Sequence, residues 1–343
     1  MAAGDRTGLR RERIDRGIKV RSDDIFALSS YRELTYLVLP RVLPILILII
    51  LPLVLNIYWT KVMIMACTIA ILGLSWEVMH AAGMISLGQA LFFGLGAYLA
   101  ATFNRYFGLP PVLTIPIATI CGGLLSTLLL SPVLRLRGIY FAMITLALSM
   151  MFGRVIEATG ILGGTVGMSA LSPLPNLWVE IYLVLFTTII LLFVFRRLIN
   201  TDYGLVLKGI GENDRTVMSG GINIYWYKAQ ALFIGTAAAA FTGAFMTHYN
   251  MQVGMAAFAL DYSILPVASV VVGGPGSFAG AVIGAFILVP LSEALRAFTG
   301  LRVVFYSLVM VIFIVALPEG IFHYLERKYH QFDRWVEVEV KKK

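Results

Sequence analysis

The chain has 343 residues, of which 59% are hydrophobic and only 13% charged, with a mean hydropathy of +0.85. That balance excludes an ordinary soluble globular domain and points to an all-α integral membrane protein, because lipid leaves no partner for an unpaired backbone and only helices or closed barrels cross it. The net charge of +8 is spread along segment edges without an aromatic platform or a binding motif. It therefore fits a membrane-lipid surface and a topology signal, with no nucleic-acid partner.

In chain order, residues 1–40 form a basic tail beginning Arg10-Arg11-Glu12-Arg13. No apolar core follows closely enough to make a cleavable signal, so the tail is expected to stay on and to lie on anionic lipid. Residues 41–318 form the transmembrane domain, and 319–343 a second charged tail. A helix needs about 20 apolar residues to cross the hydrocarbon core. About ten apolar segments meet or approach that length, near 42–60, 62–80, 84–103, 111–133, 139–157, 180–198, 228–248, 262–273, 277–296 and 303–317. The third and eighth read as spanning, broken or re-entrant.

Charge placement orients these segments. With the N-terminus inside, the inner stretches 1–41, 134–138, 196–228 and 318–343 carry 9, 2, 5 and 6 Lys or Arg, 22 of the 27 in the chain. The longest outer stretches, 158–178 and 249–261, carry none. Basic residues concentrate on the cytoplasmic side of multi-pass proteins, so both termini are expected in the cytosol. One of the inner stretches contains a polar island, 204–223, among the few surfaces able to meet a soluble partner.

Small residues recur every fourth position: Ala82, Ser86, Ala90 and Gly94 early, Gly276, Gly280 and Gly284 late. That spacing lines one helix face and permits close helix packing, a role also expected of Gly88. Each run adjoins a glycine-rich break, Gly83-Met-Ile-Ser86-Leu-Gly88-Gln89 and Gly273-Gly-Pro-Gly276-Ser277. Matched breaks near 83–103 and 262–296 are the mark of a transporter with an internal repeat, and they point to the translocation path. Ser86, Gln89 and Ser269 are the candidate path-lining groups, interhelical hydrogen bonding being the plainer account of each.

Patterns for chemistry are missing. No Gly-Lys-Ser/Thr ending follows the glycines at 273–276, so the chain has no phosphate-binding loop of its own. His80, His248, His323 and His330 lack metal-ligand spacing, and Cys67 and Cys121 sit in apolar runs as small buried hydrophobes. Neither a metal site nor a cofactor is expected, and no catalytic residue. Three ionisable pairs stand at i, i+3: Glu77 with His80, Arg154 with Glu157, and Glu293 with Arg296. They read as ion pairs that fix helix position rather than as an ion-coupling relay.

Five motifs in order carry a resemblance. Gly83-Met-Ile-Ser-Leu-Gly88-Gln-Ala-Leu-Phe-Phe-Gly94, Leu134-Arg-Leu-Arg137-Gly-Ile-Tyr140, Thr159-Gly-Ile-Leu-Gly-Gly164-Thr-Val-Gly167, the 204–223 island, and Val271-Val-Gly-Gly-Pro-Gly276-Ser-Phe-Ala-Gly280 with Leu317-Pro-Glu-Gly320 resemble the permeases of branched-chain amino-acid ABC importers over 40–322. The Leu-Arg-Leu-Arg-Gly junction favours the paired permease type with the longer N-terminus. The resemblance implies a multi-pass permease subunit of a prokaryotic inner membrane that forms a heterodimer with a second homologous permease. Two cytosolic ATPase subunits and an extracytoplasmic solute-binding protein would complete the importer. It assigns the island to ATPase coupling through Glu212, Asn213, Asp214, Arg215, Ser219, Gly220 and Gly221, the last two ending a short helix. Import of urea or short amides, and an ion-coupled secondary carrier acting alone, are the alternatives.

Overall fold

A computed structural model describes residues 9–13, 31–295, 307–308, 311–313, 315, 319–331 and 333–337. The expected segment at 303–317 and Arg296 lie largely or wholly outside them, as does most of the N-terminal tail. Helices α1 (Tyr31–Val54), α2 (Ile57–Ala81), α3 (Gln89–Phe107), α4 (Pro111–Leu130), α5 (Ile139–Thr159) and α6 (Leu177–Ile199) lead to the polar helix α7 (Asp202–Ser219). They are followed by α8 (Ile224–Asn250), α9 (Asp261–Gly273), α10 (Phe278–Ala294) and α11 (Gly320–Tyr329).

Among the described residues, six stretches are long and apolar enough to cross a membrane: α2, α5, α6, α8, Pro111–Arg135 with α4, and Met255–Gly273 with α9. The apolar part of α1 and helix α10 are shorter. Helix α2 is apolar on every face and forms the centre: Ile64, Ile69, Ile71, Leu72 and Leu74 are fully buried. It packs on α6, α8, α9 and α10, while α3 and α4 pack on α8. Large apolar side chains stay exposed on α1, α4, α5 and α6, among them Leu53, Leu128, Ile139 and Val194. Exposure of this kind suits a lipid neighbour, since hydrocarbon solvates such surface as well as a protein core does.

The first two helices part earlier than the apolar run suggests. The division falls at Leu55–Asn56, where the Asn56 Oδ1 accepts from the Trp59 N–H at 3.0 Å and caps α2. A single side-chain acceptor for an orphan helix donor outweighs unbroken hydropathy. The breaks at 82–88 and 274–277 both fall between helices, so neither interrupts a helix in mid-course. They are not alike in packing. Helices α9 and α10 fold back on each other, whereas α2 and α3 scarcely touch.

Close packing is built at Gly94 against Phe258, at Gly96 against Ala240, at Gly243 against Phe93, and at Gly284 against Ser269. Gly88 and Gly280 are equally confined, by Thr145 and by the Gly273–Gly274 backbone. Gly276 differs: a Cβ there would meet nothing within 4 Å, and its φ of +84° is what requires glycine. Two short ladders accompany the helices, one near the ends of the chain and one between its interior loops. Strand β1 (Leu9–Arg13) pairs antiparallel with β4 (Asp333–Glu337), and β2 (Met168–Ser169) with β3 (Gln252–Val253).

Candidate functional site

The polar island forms α7, whose Gly204, Leu207 and Ile210 are buried while Leu205, Lys208, Glu212 and Arg215 are exposed. A three-residue spacing of buried positions is the stripe of a helix lying on a surface. The helix is broken at Asn213, whose φ of −156° and ψ of 96° are extended. The Asn213 Oδ1 accepts from the Arg215 N–H at 3.2 Å, so the side chain caps a second short helix over 214–219. Asparagine competes for backbone donors in this way, and here it divides α7, so that the expected short helix starts after Asn213. The second ends at Gly220, after which Gly221 takes a φ of +80°. Only Gly221 supplies the left-handed turn expected of the Gly220–Gly221 pair; Gly220 keeps an ordinary negative φ of −77°.

Three elements hold the island. Asp214 Oδ2 lies 2.8 Å from Arg137 Nε, in the junction before α5, and 3.8 Å from Lys228 Nζ on α8. The Tyr203 ring stacks on Tyr227 with centroids 5.6 Å apart. Burial, with the neighbouring Tyr227, pushes the Tyr203 hydroxyl up to about 12, so it stays protonated. The third hold is backbone on backbone: a Cβ on Gly83 would lie 3.1 Å from Gly211 Cα, and one on Gly211 2.9 Å from the Ala81 carbonyl oxygen.

Beneath the island lies a cavity of about 560 Å³. Its lining includes Gly83 from the first glycine break, Gly276 from the second, Arg137, and Lys208 and Ile210 to Asp214 from the island. Segments far apart in sequence therefore meet at one end of the bundle, which is also where Glu77 and His80 end α2. The expected Glu77–His80 pair does not form. The Glu77 carboxylate accepts from the Gly276 N–H, at 3.0 Å to Oε1 and 3.3 Å to Oε2, and the His80 ring stacks on Trp76 at 4.6 Å. Arg154 and Glu157 do pair, at 2.7 Å, and Glu293 accepts from the Tyr58 hydroxyl at 2.6 Å.

The 82–88 break keeps its backbone groups satisfied by borrowing side chains. Trp76 Nε1 donates to the Ser86 carbonyl at 2.8 Å, Thr145 Oγ1 accepts from Leu87, and Ser263 Oγ accepts from Ala90. Non-helical backbone at membrane depth survives only when such partners exist. Ser86, Gln89 and Ser269 are fully buried and none lines the cavity. The Ser86 hydroxyl accepts from Gly88, Gln89 accepts from Ser75, and Ser269 donates to the Pro266 carbonyl. Of these bonds only Ser75–Gln89 joins two helices; the Ser86 bond is local to the break and the Ser269 bond lies within α9.

Opposite this end, His248 connects to Thr114 at 2.6 Å and to the Ser172 carbonyl at 2.8 Å, and Asn104 bonds both Ser172 and Leu109. Helices α3 and α8 thereby hold the 160–176 loop at Ser172, with α4 tied to α8 through Thr114. Scattered single residues gave no sign of it in the sequence.

The family described as branched-chain amino acid transport system / permease component matches residues 58–317. The chain belongs to this family. The permease is 29% identical over 288 residues to the high-affinity branched-chain amino acid transport system permease protein LivM of Escherichia coli, covering 73% of this chain and 67% of that one. The LivM protein of Salmonella typhimurium matches at the same identity and coverage. The probable LivM permease of Methanocaldococcus jannaschii is 27% identical over 224 residues, 59% of this permease and 65% of that protein. No solved structure matches the chain. The island at 204–223, the Arg137 junction and both glycine breaks all lie inside the matched region of the permease.

Proposed function

We propose that the chain is a pore-forming subunit of an ATP-driven importer that moves branched-chain amino acids into the cytosol by alternating access. One observation carries the reading. The island at 204–223 presents an exposed polar outer surface while its inner surface touches both Gly83 and the cavity that Gly276 lines. A soluble ATPase docked on such an element would push directly on the two breaks, the requirement for turning domain closure into rocking of membrane helices.

The basic residues Arg137, Lys208 and Lys228 at this end support a cytosolic placement, by the positive-inside rule. Pairing of β1 with β4 supports both termini on one side. In this reading the chain crosses about ten times, pairs with a homologous permease and two ATPase subunits, and receives substrate from an extracytoplasmic binding protein. Glu212, Asn213, Asp214, Arg215, Ser219, Gly220 and Gly221 form the ATPase-facing surface.

Reconstitution with the partner permease, the ATPases and the binding protein tests it. Labelled leucine is expected to accumulate only with ATP, and a cysteine at Ser219 to cross-link to an ATPase subunit. Leucine uptake by the chain alone along a proton or sodium gradient would sink the proposal. Accumulation of urea instead of leucine would move it to the amide branch.

A further inference from the structure

Glu77 is only 2% exposed, near the inner end of the central helix α2. An ionisable group this deep in a spanning helix calls for a partner, and none comes from its own helix face, because His80 is turned onto Trp76. Its partner is the backbone N–H of Gly276, which both carboxylate oxygens reach, at 3.0 and 3.3 Å. Gly276 has space around it and needs glycine for its φ of +84°, the conformation that turns this N–H toward the carboxylate. The bond therefore joins the end of α2 to the tip of the α9–α10 hairpin. Six residues beyond Glu77, Gly83 touches Gly211 of α7 backbone to backbone, with no side chain between them to absorb a shift.

We propose that Glu77 is a positioning residue of the transport step, a latch that holds the α9–α10 tip to α2 and that displacement of α7 releases. The inference rests on the preceding reading of α7 as the ATPase-coupling element. Movement at Gly211 passes to Ala81–Gly83, turns the last turns of α2, and withdraws the carboxylate from Gly276. Glu77 itself lines the cavity alongside, so the freed side chain has a polar space to enter, whether its oxygen belongs to a carboxylate or an amide. A hydrogen bond to a backbone donor suits this duty, being strong when aligned and quickly lost with distance.

Two conservative variants separate the hydrogen bond from the charge. Glu77→Gln keeps the reach and an acceptor oxygen but removes the charge; Glu77→Asp keeps the charge but shortens the reach. In the purified permease, hydrogen exchange over 274–277 is expected to rise about tenfold in Glu77→Asp and to stay within about threefold of wild type in Glu77→Gln. In the assembled importer, ATP consumed per leucine taken up is expected to rise about tenfold in Glu77→Asp and hardly at all in Glu77→Gln. The reverse order, with Glu77→Gln impaired and Glu77→Asp normal, would assign the carboxylate to binding a substrate ammonium group and overturn the latch. Equal loss in both variants, or none in either, would overturn it too. The exchange measurement needs no transport, so it decides the latch even if ATP-driven leucine uptake itself fails.

Discussion

Arg137 and Asp214 form an ion pair of 2.8 Å that ties the junction before α5 to the short helix at 214–219. The two sides of this contact are unequal. The Arg137 side chain is 55% exposed and that of Asp214 12%, while Lys228, 3.8 Å from the same oxygen, is 6% exposed. Removing Asp214 leaves a buried ammonium without its counter-ion; removing Arg137 leaves Asp214 still facing Lys228. Asp214→Ala is therefore expected to cost about 1–3 kcal/mol, and Arg137→Ala less than about 1 kcal/mol. Apparent Tm in detergent checks the order, and the Arg137 contribution should shrink with added salt while that of Lys228 persists. A larger loss from Arg137→Ala would contradict this assignment.

Glycines with the same chemistry face different constraints. A methyl group on Gly96 would strike the Ala240 backbone, and one on Gly243 the Phe93 carbonyl, where two helices meet with no room to shift. Gly96→Ala is expected to cost about 3 kcal/mol or more and to prevent a monodisperse preparation. Gly108 has open space and a φ of +64°, so Gly108→Ala carries only the left-handed penalty of about 1–2 kcal/mol. Gly221→Ala, at a φ of +80° in open space, belongs with Gly108, and Gly220→Ala should be nearly silent. Size-exclusion profiles and Tm values for the four variants give the comparison.

The network opposite the cavity is expected to govern the 160–176 loop. Asn104 contributes three hydrogen bonds, donating to the Leu109 carbonyl and the Ser172 hydroxyl and accepting from the Ser172 N–H. Asn104→Ala strands these partners at a cost of about 1–3 kcal/mol. Limited proteolysis should then cut within 160–176 faster than in wild type, with cleavage near α7 unchanged. Uniform acceleration at both places would mean global loosening instead.

Much of the site was already legible as separate pieces. The island, the two breaks and the Arg137 junction stood out in the sequence because each is a local departure from an apolar background. Their junction was not legible, since Gly83 with Gly211 and Glu77 with Gly276 are contacts between residues that no periodicity relates. The i, i+3 rule proposed His80 for Glu77 from helix geometry alone. Burial decided otherwise, as Trp76 offered the imidazole a ring face and Gly276 offered the carboxylate an N–H.

Hydropathy by itself determined that the chain is a helical membrane protein and where most of its helices run, because satisfying the backbone in lipid leaves few choices over a stretch of about 20 residues. Its motif order reached the permease family. Tertiary structure decided what those helices do with their polar remainder: that Asn213 splits the island, that Ser86, Gln89 and Ser269 are buried and hydrogen-bonded, and that Asp214 and Glu77 bind their carboxylates to partners on distant segments. A buried polar group must find a partner wherever the fold brings one within about 3 Å, and that distance is set by packing across the whole bundle rather than by neighbours in the chain.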